Sequence, residues 1–113
     1  MYFCKTNNKL NKKTMISDVR IKGSNIEVYD AKGSRISYMS ASNRLVSGAT
    51  GMFFVTMGSS NIEVYDEKCR RISYMSKGTK EVVGASGTTF TVKYGKQIET
   101  YDEKCKRISY RSI

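Results

Sequence analysis

Glu27, Tyr29 and Asp30 lie within four residues of one another, and the trio returns as Glu63, Tyr65 and Asp66 and again as Glu99, Tyr101 and Asp102. A carboxylate beside a phenol can orient a sugar hydroxyl or a cationic group in a pocket, or exchange a proton with a bound group. The plainer reading is structural: Glu27 pairs across strands with a basic residue such as Arg35, and Tyr29 covers the pair. Glycoside hydrolysis takes two carboxylates that flank one bond, whereas strand alternation sends the Glu and the Asp of each trio to opposite faces. The near-equality of the three copies also leaves no single active site, so no enzyme is expected. The chain has no His, which removes Ser-His-Asp and Cys-His catalysis and His-bound metals.

A second constellation is basic. Lys32-Gly33-Ser34-Arg35, Lys68-Cys69-Arg70-Arg71 and Lys104-Cys105-Lys106-Arg107 occupy equivalent places, and Lys5, Lys9, Lys12, Lys13, Lys77, Lys80, Lys93 and Lys96 add to them. Over 113 residues, 20 Lys+Arg stand against 10 Asp+Glu, a formal charge of +10. Solubility of a small domain asks for a net charge of only about 2 to 8. The excess points to an anionic partner: nucleic acid, an acidic protein or an anionic glycan. Arg35, Arg70, Arg71, Lys104, Lys106 and Arg107 are the residues expected to meet it. No helix-turn-helix, zinc-finger or RNA-recognition motif narrows the class.

Two further patterns carry less chemistry. Cys69 and Cys105 are equivalents, but Gly33 takes that place in the first copy and Cys4 has no equivalent, so no threefold metal site forms and no cofactor is expected. Ordinary turn cysteines are the leading reading; thiols made reactive by basic neighbours that lower their pKa are the alternative. The odd cysteine count, and a start without the roughly 7–15-residue apolar run of an export signal, imply reduced thiols and a cytoplasmic location. Val46-x-Gly48-Ala49-x-Gly51 and Val82-x-Gly84-Ala85-x-Gly87 resemble phosphate cradles. Known phosphate loops lead into a helix; with strands on both flanks, these glycines read as hairpin turns at positive φ.

The elements that must hold these residues follow from a gapless repeat. Ile26-Glu27-Val28-Tyr29-Asp30 and Arg35-Ile36-Ser37-Tyr38 return 36 residues later, from Ile62 and Arg71, and 36 after that, from Ile98 and Arg107. Repeats of one length reuse one supersecondary unit. Period-two alternation and turn residues about every nine positions make that unit four short strands: 25–30, 35–40, 44–48 and 52–57 in the first copy. Ile26 and Val28 face a core, and Glu27 and Tyr29 share the outer face. The units run 23–58 and 59–94, with a third made from 95–113 and closed by 1–22. Residues 1–113 then form one domain, a closed ring of three without open edge strands. Should 1–22 not form strands, the ring opens and a homodimer by strand exchange is expected. A β-propeller needs about four to eight blades, more than this length holds. An all-β prism with pseudo-threefold symmetry and twelve strands, three four-stranded sheets around a central core, fits the repeat best; a β-trefoil is the alternative. No stretch of about 18 apolar residues spans a membrane.

The stretch Asn-Ile-Glu-Val-Tyr-Asp, a turn, then Arg-Ile-Ser-Tyr-Met-Ser resembles the repeat of the bulb-type (monocot) mannose-binding lectins. That resemblance implies a β-prism of similar length with three similar units, and a sugar pocket on the motif Q-x-D-x-N-x-V-x-Y. Asn25 and Tyr29, and Asn61 and Tyr65, match its N and Y; in the third unit Gln97 replaces the Asn and Tyr101 matches. The Q position holds Ile21, Met57 and Lys93, the D position Gly23, Ser59 and Gly95, and the V position Glu27, Glu63 and Glu99. Without the Gln and the Asp, mannose binding is not implied. A non-catalytic module that binds an anionic partner is therefore the leading expectation. A lectin of altered specificity, using Asn25, Glu27, Tyr29, Asn61, Glu63, Tyr65, Gln97, Glu99 and Tyr101, is the alternative.

Overall fold

In the computed structural model, which describes residues 15–112, the chain forms eleven strands and no helix. They are β1 Asp18–Lys22, β2 Asn25–Tyr29, β3 Arg35–Ser40, β4 Leu45–Ala49, β5 Phe53–Met57, β6 Asn61–Asp66, β7 Arg71–Ser76, β8 Glu81–Ser86, β9 Thr89–Tyr94, β10 Gln97–Asp102 and β11 Arg107–Ser112. Each sheet is an antiparallel meander in chain order: β1-β2-β3, β4-β5-β6-β7 and β8-β9-β10-β11. The fold is therefore all-β in three sheets, consistent with the prism-like arrangement. Three separate meanders leave no barrel of the kind a trefoil needs.

The sheets cut across the 36-residue units. The last two strands of one unit and the first two of the next share a sheet, because hairpin turns join consecutive strands. β1 pairs with β2, and β11 with β10. A strand before β1, the closure of the ring by residues 1–14, and Cys4, Lys5, Lys9, Lys12 and Lys13 lie outside the described residues.

The apolar interior is split in two. One cluster joins the first and second sheets through Ile16, Ile26, Val28, Phe54 and Tyr65. The other joins the second and third through Phe53, Val55, Ile62, Val64, Val82, Phe90, Val92 and Tyr101. The middle sheet is thus covered on both faces, and Phe53 to Thr56 are all buried. Continuous burial replaces the half-buried alternation of a sheet with one solvated face. Phe54 stacks on Tyr65, and Phe90 on Tyr101, at centroid distances of 5.4 and 5.6 Å.

The two outer faces differ from the inner ones by composition. Where the middle sheet turns Phe53, Val55, Met57, Val64 and Met75 toward the third, the third has Thr89, Thr91, Lys93, Thr100 and Arg111 on its far side. The first sheet has Asp18 and Arg20 on its face away from the second, in the places of Phe54 and Thr56.

Glycines have two uses here. Gly33 and Gly87 turn hairpins at φ 81° and 62°. Gly48, by contrast, lies in β4 and not at a turn. A Cβ there would stand 3.1 Å from Ala85 Cβ and N, so its bare backbone is what lets β4 approach β8. The reading of Gly48, Gly51 and Gly84 as positive-φ turn residues is corrected accordingly: none has positive φ, and Gly48 and Gly84 lie within strands.

Candidate functional site

Asp30, Asp66 and Asp102 end their strands by capping the turns that follow. Asp30 Oδ1 accepts from the Lys32 and Ser34 N–H groups, Asp66 Oδ1 from those of Lys68 and Arg70, and Asp102 Oδ1 from those of Lys104 and Lys106, all at 2.9–3.0 Å. The fourth residue of each turn then takes the left-handed conformation, as Gly33, Cys69 or Cys105 at φ 81°, 61° and 61°. The third carboxylate of each trio is consequently a backbone device. The N–H groups of Lys106 and Lys104 hold the Asp102 carboxyl below its ordinary range against a smaller opposing effect of burial.

The Glu and Tyr of each trio stay together on one face. Tyr65 Oη donates to Glu63 Oε1 at 2.9 Å and Tyr101 Oη to Glu99 Oε1 at 2.7 Å; Tyr29 Oη donates to Glu27 in the same way. The second carboxylate oxygen accepts from Arg35, Arg71 or Arg107 at 3.1, 3.2 and 3.1 Å. Glu63 is clamped a second time by Arg44 Nε at 2.7 Å. Burial pushes the Glu63 carboxyl up, but the hydrogen bonds from Arg44 and Tyr65 outweigh it, and the group lies below the ordinary carboxylate range. Burial first, and then the bond to the carboxylate, push the Tyr65 and Tyr101 hydroxyls up to about 12.

The expectation that all three Glu–Tyr pairs share an outer face is corrected. Glu63 and Tyr65 are enclosed between the first and second sheets, and Glu99 and Tyr101 between the second and third. Glu27 and Tyr29 lie on the face of the first sheet away from the second, where a hollow of about 370 Å³ among the described residues is bordered by Asp18, Arg20, Lys22, Tyr29, Asp30 and Gly33, although Glu27 itself is as buried as Glu63. The neighbouring sheet packed over each is what covers the other two pairs. Asn61 and Glu63 border a smaller polar hollow of about 170 Å³ with Ser42, Arg44, Ser59 and Ser60. Asn25 and Gln97 are half-buried at strand starts.

The basic residues fall into two groups. Arg35, Arg71 and Arg107 are each tied to a largely covered carboxylate. Arg70 pairs with Asp66 at 3.2 Å on the surface, where such a pair is worth only about 0–1 kcal/mol. All six ion pairs among the described residues use arginine, and no described lysine is in one. Lys104 and Lys106 therefore present their ammonium groups to solvent.

Each Arg of the Glu–Arg pairs has a second neighbour that sequence reasoning missed. The guanidinium lies over an exposed tyrosine ring: Arg35 over Tyr38, Arg71 over Tyr74 and Arg107 over Tyr110, at 4.7, 4.5 and 4.6 Å. In a regular strand, residues three apart face opposite ways. A bulge after Val28, Val64 and Thr100 brings Arg and Tyr to the same side. The signal available was the recurrence of Arg-Ile-Ser-Tyr; the bulge was not visible in it.

Cys69 and Cys105 are half-buried, each against a serine hydroxyl of the preceding sheet, Ser37 or Ser73, at 3.3 Å. Burial pushes both thiols up from their ordinary value. That goes against the alternative of lowered pKa values: desolvation outweighs the basic neighbours, whose side chains point to solvent. Among the described residues no cluster of three metal-ligating side chains exists, and no helix is long and apolar enough to cross a membrane. Compared with known proteins, the chain matches no family model and no curated protein.

Proposed function

We propose that this chain is a non-catalytic binding module for an anionic macromolecule, held through its basic hairpin turns. One observation carries the reading: every described lysine is outside an ion pair, while the carboxylates of Asp18, Glu27, Glu63, Asp66 and Glu99 are taken by arginines and those of Asp30, Asp66 and Asp102 by turn backbone. The surplus charge is therefore presented to solvent instead of being cancelled locally. Lys68 and Arg70 on one turn, and Lys104 and Lys106 on the next, form the centre of this surface. Each phosphate neutralised would contribute about −0.7 to −0.9 to the slope of log affinity against log salt. Replacing Lys68, Arg70, Lys104 and Lys106 by Gln should flatten that slope and weaken polyanion binding, with the melting temperature held. An unchanged slope would overturn the reading. Arg71 and Arg107 are left out of this test because Glu63 and Glu99 depend on them.

A lectin-like role of altered specificity is the second reading, favoured by the polar hollow at Asn61 and Glu63 and by the resemblance to bulb-type lectin repeats. Binding to a neutral glycan would survive moderate salt and would be lost in Asn61→Ala.

A further inference from the structure

Tyr38, Tyr74 and Tyr110 are 58%, 57% and 58% exposed, each at the same place on the last strand of its sheet. β3, β7 and β11 are the edge strands on the side away from β4 and β8, where the second and third sheets approach most closely. Tyrosines are amphipathic and are often left half-exposed, but these three are not merely uncovered. Each ring is paired with a guanidinium, and the guanidinium is anchored from behind by a carboxylate: Glu27, Glu63 or Glu99 at 3.1–3.2 Å. The cross-strand partner of each tyrosine is that same glutamate. A planar cation, an aromatic face and a fixed anchor therefore recur three times in one arrangement. Packed sheets lie about 10 Å apart, and the equivalent places of the three rings on successive sheets suit a short ladder with about that spacing.

We propose that this ladder is a stacking platform for the bases of a single-stranded nucleic acid. The inference rests on the anionic-partner reading and names the partner. Bases stack on aromatic side chains whatever their sequence, and Arg beside the ring adds cation–π attraction. A duplex hides its base faces, while an acidic protein or anionic glycan offers no such row of planar rings; only unstacked bases use both the charge and the tyrosines. Because the arginines are already held by their carboxylates, binding orders few side chains. Three sites on one chain also make the second and third contacts intramolecular.

The test uses the native chain at low salt and two labelled 15-nucleotide strands, one of deoxythymidine and one abasic, followed by fluorescence anisotropy. Both carry the same phosphates. Thymidine should bind at least tenfold tighter, since each stacked base is worth about tenfold in affinity. Replacing Tyr38, Tyr74 and Tyr110 together by Leu should bring the thymidine strand down to the abasic level, while the corresponding Phe variant retains the difference. Equal binding of the two strands by the native chain overturns the ladder and leaves the basic-surface reading intact. Thymidine affinity that survives the Leu variant also overturns it. Failure of both strands to bind overturns the basic-surface reading as well. The native-chain comparison decides the matter even if the triple Leu variant fails to fold.

Discussion

Ser73 Oγ donates to the backbone carbonyl of Glu103 at 2.6 Å, and through that bond the edge strand of the second sheet holds the β10–β11 turn of the third. Ser37 makes the same bond to the Glu67 carbonyl at 2.6 Å, one sheet earlier. The next equivalent, Ser109, is exposed on β11. Replacing Ser73 by Ala should cost about 0.5–1.5 kcal/mol, the net worth of one such bond. Ser109→Ala should stay within about 0.5 kcal/mol of zero. Urea unfolding of the two variants checks both, and equal losses would deny the bond its role between sheets.

Gly48 and Gly84 hold the same position in the repeat but different surroundings. A Cβ on Gly48 meets Ala85 at 3.1 Å, whereas one on Gly84 meets nothing within 4 Å. The atoms near Gly48 include backbone, which yields poorly. Gly48→Ala should therefore cost about 1–3 kcal/mol through overpacking. Gly84→Ala should be neutral or stabilising by up to about 1 kcal/mol, since φ there is not positive and Ala narrows the unfolded ensemble. Thermal melts of the two single variants should shift in opposite directions or by very different amounts.

Thr56 is fully buried, and its Oγ1 has no hydrogen-bond partner among the described residues. One repeat later the same position is Val92, also fully buried. A lone buried hydroxyl costs about 1–3 kcal/mol. Thr56→Val keeps the shape and removes the hydroxyl, so we expect a stabilisation on the order of 1 kcal/mol, read as a higher denaturant midpoint with an unchanged m-value.

Tyr65 and Tyr101 set an alkaline limit. Their hydroxyls ionise at about 12 in the fold against 10 in an ordinary tyrosine, because burial disfavours the charged form. The folded state thus holds its protons longer than the unfolded chain. The stability they contribute is complete below pH 10 and falls as pH rises from 10 toward 12. Denaturant midpoints measured across that interval should decline, and the decline should be shallower in Tyr65→Phe. A flat profile would show that these hydroxyls are not enclosed. At the acid end, Glu63, held below its ordinary range, contributes stability above the usual carboxylate pKa that is lost as pH falls through its lowered value.

The sequence by itself determined the repeat, the strands and their turns. The 36-residue spacing from Ile26 to Ile62 to Ile98, and period-two alternation, placed strands at 25–30, 35–40, 44–48 and 52–57, within a residue of β2 to β5. Strand alternation and turn chemistry are local, so residues a few positions apart reveal them. The pairing of Glu27 with Arg35 under Tyr29 was legible for the same reason. Tertiary structure alone decided which strands share a sheet and which faces are covered. Nothing local to Glu63 or Tyr65 distinguishes them from Glu27 and Tyr29; the first pair has another sheet packed on it, and the second faces away from that contact. The Arg–Tyr pairs were hidden by one bulge per sheet, which reverses the facing that alternation predicts. Packing between sheets is a contest among surfaces far apart in sequence, and it is settled only when Phe53, Phe54 and their partners find the faces that bury them.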